Sequence, residues 1–211
     1  MKISKRSIFI TGSAAAIGLI AIVGFAYSGM YDVSASSSHS SIVNWLLSTT
    51  SHASIERHAK DIDVPNLDND SLARAGVNDF NGMCTGCHGA PGQDPEAMGQ
   101  GLNPRPPDLA ESAAKMSPAE LFWVTKNGIK MTGMPAWGAT HDDDAIWPVV
   151  AFMTKLPELN ASQYQELLDS AGSMGHHAND SAPAAHPHEE SGHSEDSPAE
   201  PEEHDHGTHE H

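Results

Sequence analysis

The chain of 211 residues is short of basic side chains, and this limits what it can bind. It contains 11 Lys and Arg against 28 Asp and Glu, which gives a formal net charge of −17. Proteins that bind nucleic acids neutralise phosphates with a stripe of Lys and Arg. The sequence has no such stripe, so we expect no nucleic-acid partner. An acidic surface instead favours basic protein partners or metal cations.

Cysteine is scarce as well, because Cys84 and Cys87 are the only two in the chain. A disulfide between them would close too short a loop to add much stability. Hydrophobic residues make up 38% of the chain, below the usual share of a globular protein, so part of it is not expected to pack. No segment alternates polar and apolar residues as a strand does. The packed part of the chain is therefore predicted to be all-α.

A long apolar run occurs at the N-terminus. Residues 8–27 carry no charge and follow Lys2, Lys5 and Arg6. Twenty residues are about enough to cross a hydrocarbon core of roughly 30 Å, and the basic flank would stay in the cytoplasm. The apolar part of a cleaved signal peptide is usually shorter, about 7–15 residues. We therefore expect an uncleaved anchor with the rest of the chain outside. Cleavage at the small residues 26–28 is the alternative.

Composition divides the rest of the chain unevenly. We predict four parts: a signal-anchor or transmembrane segment (1–30), a spacer (31–66), a main helical domain (67–170) and a tail (171–211). Within the spacer, residues 41–60 can form a short amphipathic helix that lies near the membrane or on the main domain. Its apolar residues are Ile42, Trp45, Leu46 and Leu47. The linker from Tyr31 to Asp70 as a whole is expected to act as a flexible tether, which as a coil would span on the order of 35 Å.

The tail is rich in histidine and acidic residues. Residues 176–211 hold nine of the fourteen histidines and ten Asp or Glu, with no Lys or Arg. With so few apolar side chains the tail is predicted to be disordered. Histidines between carboxylates can also bind Cu, Ni or Zn, so a metal-binding tail and a merely solvated tail are both open interpretations.

The main domain shows clear helix signals. We predict helices at residues 71–83, 116–128, 142–156 and 161–171. Ser71 is a possible N-cap of the first. In the second, Ser117 and Glu120 form a capping box and Gly128 supplies the C-terminal residue with positive φ. Pro148 should kink the third helix or delay its start.

Both cysteines belong to the motif Cys84-Thr-Gly-Cys87-His88, which is the attachment motif of haem c. Residues three apart on a helical turn face the same side, so both thiols can reach the two vinyl groups of one porphyrin. His88 would then ligate the iron through one ring nitrogen. The second ring nitrogen needs a fixed acceptor, which we expect from the proline loop at residues 104–107. A thioredoxin-like pair lacks its βαβ context here, and a zinc site lacks an obvious fourth ligand.

The second axial ligand of the iron is expected from residues 128–138. Met134 stands between Gly133 and Pro135, which make a stiff loop able to aim a sulfur at one point. Met131 is the rival sulfur, or an apolar side chain packed on the ring. The same position on the iron could instead be taken by a histidine such as His141, or stay open.

These motifs together resemble the bacterial, mono-haem class I cytochromes c over residues 73–156. The matching features are Gly76 and Phe80, the Cys-Thr-Gly-Cys-His-Gly run, the loop NPRPPDL, the segment MTGMPAWG and Phe152. The resemblance implies a cytochrome c fold in which the first and last helices cross beside the haem. It pairs Gly76 and Phe80 with Trp147 or Phe152. It also implies that Arg105 neutralises a haem propionate, although Arg105 could equally be a solvent-exposed loop residue. Trp123 and Trp137 line the haem pocket or fill the core.

Two protein ligands would leave the iron without an open position, which suits electron transfer rather than catalysis. The sequence thus indicates an electron carrier with one covalent haem c, anchored in the bacterial cytoplasmic membrane with the haem domain on the periplasmic side. If the signal is cleaved, the protein is soluble in the periplasm. Its partners would be redox proteins. The competing hypotheses are a haem enzyme or sensor with a labile Met134, and a carrier whose tail binds metals.

Overall fold

The computed structural model describes residues 5–172, so the interpretations of the tail lie outside the described residues. Within this range the chain is helical and contains no strand, which confirms the all-α prediction. The helices are α1 (Lys5–Tyr27), α2 (Ser41–Ala59), α3 (Asp70–Met83), α4 (Thr85–His88), α5 (Ala97–Gln100), α6 (Leu109–Ala113), α7 (Pro118–Asn127), α8 (Asp143–Met153) and α9 (Ala161–Ala171). Two single 3-10 turns lie at Trp137–Ala139 and Leu156–Glu158.

The first helix, α1, has the properties of a membrane span. Its residues Ile8–Tyr27 have a mean hydropathy of 2.3, and none of that window is buried. Length and composition fit both an anchor and a signal sequence, which share these properties.

The spacer is not a coil throughout. The predicted helix in it is formed as α2, which begins after the N-cap Ser40 and runs for 19 residues. The C-terminal half of α2 packs against α7, where Ile55 and Ala59 are buried. A free tether over the whole spacer is therefore wrong, because the docked half of this helix gains apolar burial that a coil would lose.

The core of the main domain forms where α3 crosses α8. Gly76 permits the approach, because a Cβ there would overlap the carbonyl of Pro148 and lie 2.6 Å from the amide nitrogen of Val149. Phe80 packs against Phe152, with ring centroids 4.9 Å apart. Tyr164 of α9 meets both rings. The α3–α8 pairing is thus built by Gly76, Phe80 and Phe152.

Trp147 does not take part in that pairing. It precedes Pro148 by one residue, so its side chain projects about 100° away around α8. Its ring stacks on Phe122 of α7, with centroids 4.0 Å apart. Of the two aromatic partners expected for Phe80, Phe152 is correct and Trp147 is wrong.

Most helix ends follow the predicted signals. Ser117 and Glu120 form the capping box of α7, and Gly128 ends that helix with φ of 64°. The N-cap of α3, however, is Asn69 rather than Ser71, because its side chain accepts a hydrogen bond from the Ser71 amide at 3.0 Å. Asn caps as well as Ser does. The delayed start of α8 is also wrong, since the helix begins at Asp143 and includes Pro148.

The crossing at Gly76 makes a stability prediction. Gly76→Ala should destabilise the mature protein by about 2 kcal/mol or more, because the obstructing atoms are backbone atoms of α8 that cannot rotate away. Gly82→Ala is the matched control, since it lies in the same helix and a Cβ there meets nothing within 4 Å. It should be neutral or stabilise by up to about 1 kcal/mol. Urea unfolding measures both, and equal losses would contradict this role of Gly76 at the crossing.

Candidate functional site

The two cysteines lie at the joint between α3 and α4. Cys84 is the C-cap of α3, and its amide donates the last hydrogen bond of that helix to the Phe80 carbonyl at 2.9 Å. The next turn follows at once, because the amides of Cys87 and His88 both donate to the Cys84 carbonyl. Both thiols are free, with Cys84 buried and Cys87 half-buried. Three residues apart on one turn, their side chains lie on the same side of it.

The surroundings fix the protonation state of these groups. Burial, helped by the nearby Cys87 and Asp79, raises the pKa of the Cys84 thiol to about 12, so this thiol is protonated at neutral pH. Burial lowers the pKa of His88 from its usual value, although the Pro107 carbonyl and Asp108 partly oppose the shift. His88 is therefore neutral at pH 7, which is the form of histidine that binds metals.

The orientation of His88 is set by the proline loop. Its Nδ1 lies 2.8 Å from the carbonyl oxygen of Pro107. A carbonyl can only accept, so Nδ1 carries the hydrogen and Nε2 is left with its lone pair. This confirms the prediction that the proline loop supplies the acceptor for the His88 ring. Of residues 104–107, Pro107 is the one whose carbonyl does so. Asp108 follows directly as the N-cap of α6, which holds the loop at that end.

The segment after His88 folds back over the motif. Gly89 has φ of 73°, and the amide of Glu96 donates to the Gly86 carbonyl at 3.0 Å. The short helix α5 then lies directly on the motif. A Cβ on Gly99 would be 2.5 Å from the carbonyl oxygen of Cys87 and 2.7 Å from its Cα. The sequence did not single out Gly99. The loop contains several glycines, and nothing in their pattern shows which of them contacts the motif.

Met134 lies in a loop that backbone contacts hold in place. Gly128, at the end of α7, approaches the Met134 carbonyl so closely that a Cβ there would be 2.7 Å from it. The Met134 amide donates to the Thr132 hydroxyl at 3.1 Å, and the Ile129 amide donates to the Met134 carbonyl at 3.3 Å. Gly133 touches Leu102, so this loop rests on the segment that leads into the proline loop.

The two methionines of this loop differ in environment. Met134 is half-buried, whereas Met131 is 86% exposed and has φ of 62°. A side chain held in solvent is poorly suited to be a fixed ligand, and equally to pack on a ring. Met134 is therefore the better candidate of the two for an iron ligand.

Three further residues singled out by sequence have clear positions. Arg105 is exposed on the proline loop. Trp123 is half-buried and stacks on His58 of α2, with centroids 5.4 Å apart. Trp137 meets the His141 ring edge-on at 5.6 Å, so both belong to the turn that follows the Met134 loop.

The competing chemistries find little support in this arrangement. The part of the chain that the structure describes has no strand, so the sheet beside which a thioredoxin-like pair would sit is not seen there. Among residues 5–172 no group of three or more His, Cys, Asp and Glu side chains is arranged to hold a metal ion. A zinc site at the two cysteines would need such a group.

A helical fold around a Cys-x-x-Cys-His motif is what a cytochrome c domain would have. Residues 71–153 match the family model described as cytochrome c oxidase, cbb3-type, subunit III. The match begins in α3, includes the motif and Met134, and ends with α8, and it supports a c-type cytochrome. Searches of curated proteins and of solved structures found no significant match.

The contact between α5 and the motif can be tested by substitution. Gly99→Ala should cost about 1–3 kcal/mol of stability and lower the yield of haem-bearing protein, because the added Cβ meets the Cys87 backbone. Gly101→Ala is the control, since its nearest contacts would be ordinary ones at 3.6 Å. Urea unfolding and haem content per polypeptide measure the effect. Equal behaviour of the two variants would show that α5 does not press on the motif.

Proposed function

We propose that this protein carries single electrons through one covalent haem c outside the bacterial cytoplasmic membrane. The observation that carries the proposal is the hydrogen bond from His88 Nδ1 to the Pro107 carbonyl, one residue from a pair of free thiols. It presents Nε2 of a neutral imidazole beside two groups able to form thioethers. This donor set fits haem c.

Each residue of the site has a distinct task in this proposal. Cys84 and Cys87 would hold the macrocycle covalently, and His88 would bind iron through Nε2. Met134 would supply the second protein ligand from a loop that Gly128 and Thr132 fix. When bound, haem supplies a reversible one-electron couple between ferric and ferrous iron. Arg105 is exposed on the proline loop, and its proposed task is to neutralise a haem propionate.

Ligation by both His88 and Met134 favours electron transfer over catalysis. Two protein ligands close the iron to oxygen or peroxide, and thioether ligation raises the reduction potential. A cytochrome c domain supports a haem-containing carrier with redox proteins as partners. We therefore propose an electron-transfer protein rather than an enzyme.

The apolar helix α1 supports a location at the membrane. Its twenty-residue apolar run can span a bilayer, and the basic residues before it favour a cytoplasmic N-terminus. The haem domain would then stand on the periplasmic side, where c-type haem is exposed to its redox partners.

Substitution of the two methionines tests the ligand assignment. Met134→Ala should abolish the weak sulfur–iron charge-transfer band at the red end of the ferric spectrum. It should also lower the potential by on the order of 0.1 V, since axial ligands set haem potentials over a range of about 0.8 V. Met131→Ala is the control and should keep both properties, because its side chain is in solvent. A five-coordinate, high-spin spectrum of the unsubstituted protein would end the carrier proposal.

Fractionation tests the anchor. The haem-bearing protein should stay with membranes after an alkaline carbonate wash, and its intact mass should include residues 1–27. A variant lacking the apolar run but given a cleavable export signal should appear in the soluble periplasmic fraction. If the protein expressed from the complete gene is instead found in the periplasm with its N-terminus cut near residue 28, the apolar run is a cleaved signal and not an anchor.

A further inference from the structure

Within residues 5–172, the N-terminal half of α2 carries a patch of exposed apolar side chains. Ile42 is 78% exposed, Trp45 66% and Leu46 55%. They are spaced by three and four residues, so they share one face of the helix. An exposed cluster of this kind usually marks a contact with a partner or a membrane.

The patch faces away from the haem domain. Ile55 and Ala59, which are buried where α2 packs on α7, lie about 90–130° around the helix axis from the centre of the patch. The C-terminal half of α2 thus packs one face on the domain, whereas the N-terminal half exposes a different, apolar face to the surroundings.

Charge and chain length favour a lipid surface as the occupant. Residues 33–55 contain no Asp, Glu, Lys or Arg in a chain of net charge −17. Only residues 28–40 separate α1 from α2, a stretch that reaches at most about 45 Å, and the patch lies at the end of α2 nearest to α1. Trp is enriched at the boundary between lipid and water.

A second copy of the chain is the weaker candidate for this contact. A stable interface between proteins buries roughly 800 Å² on each partner. Three side chains on two turns of helix fall well short of that area. An interfacial helix, by contrast, needs only to submerge its apolar face by about 5–10 Å.

The spacer is also held to the domain before α2 begins. The side-chain amide of Asn103 donates to the Ser37 carbonyl at 2.8 Å. Asn103 precedes the proline loop that orients His88, so the domain contacts the spacer both before and after the patch. Any surface that holds the patch therefore also restricts the orientation of the haem domain.

We propose that Ile42, Trp45 and Leu46 lie in the membrane interface and fix the haem domain against the bilayer. This inference rests on the proposed membrane anchor. With α1 in the membrane and α2 on it, the haem site keeps one height and one tilt instead of swinging on a tether. Its electron partners would then be proteins that reach the same height above the same membrane.

The test uses the full-length, haem-loaded protein in vesicles of zwitterionic phosphatidylcholine, with a protease site inserted between Gly29 and Met30. After cleavage, part of the haem domain should still float with the vesicles. The triple variant Ile42→Ser, Trp45→Ser, Leu46→Ser should lower the partition coefficient at least about tenfold. Val64→Ser, which alters an exposed apolar side chain outside α2, should leave it within about twofold.

The outcomes separate this inference from the anchor. Complete release of both proteins, or equal retention of both, overturns the interfacial role of α2 while the anchor stands. Failure to enter vesicles before cleavage overturns the anchor and this inference together. A released domain that sediments as a dimer, and as a monomer in the triple variant, assigns the patch to a second copy. Haem and far-ultraviolet spectra check that the triple variant is folded.

A second measurement needs no cleavage. In vesicles of brominated phosphatidylcholine, the fluorescence of Trp45 should be quenched by the lipid bromine atoms. Trp45→Phe should remove the bromine-sensitive part of the signal, because the remaining three tryptophans belong to the haem domain. Unchanged bromine quenching in that variant would contradict the proposal.

Discussion

Two helix backbones come into contact where α3 crosses α8, and the geometry of the candidate haem site follows from that contact. Gly76 lets α3 touch α8 at the carbonyl of Pro148, and the Phe80–Phe152 contact follows one turn later. This crossing holds the C-terminal half of α3 in place, and Cys84 is the C-cap of that helix. The position of the cysteines is therefore set by packing four to eight residues earlier, rather than by the motif itself.

From that point the site is built by backbone contacts more than by side-chain packing. The Pro107 carbonyl orients His88, Gly99 lets α5 lie on Cys87, and Gly128 lets α7 support the Met134 loop. Side chains in such places would force the loops apart. The positions of these loops are thus fixed by contacts within the chain itself.

Much of this site could be predicted from the sequence, for identifiable reasons. The Cys-x-x-Cys-His motif and the Ser117 capping box are local signals, so they required no knowledge of the fold. The pairing of Phe80 with Phe152 rather than Trp147 could not be chosen from sequence. The two side chains lie five residues apart on α8, and only the rotation of α8 about its axis decides which of them faces α3. The N-cap of α3 is Asn69 and not Ser71, two residues later, because Asn and Ser cap equally well and the sequence does not show which one is used. The docking of α2 depends on the surface of α7, which no local pattern reveals.

The proposed function requires that the chain holds one haem covalently at Cys84 and Cys87 with His88 beneath it. This is measured most directly by the mass of the denatured protein after export and maturation, together with its absorption spectrum. We predict a coloured polypeptide whose mass exceeds that of the chain by one haem and does not lose it in acid and organic solvent. A colourless polypeptide at the bare mass, or a haem that extracts freely, would contradict the proposal.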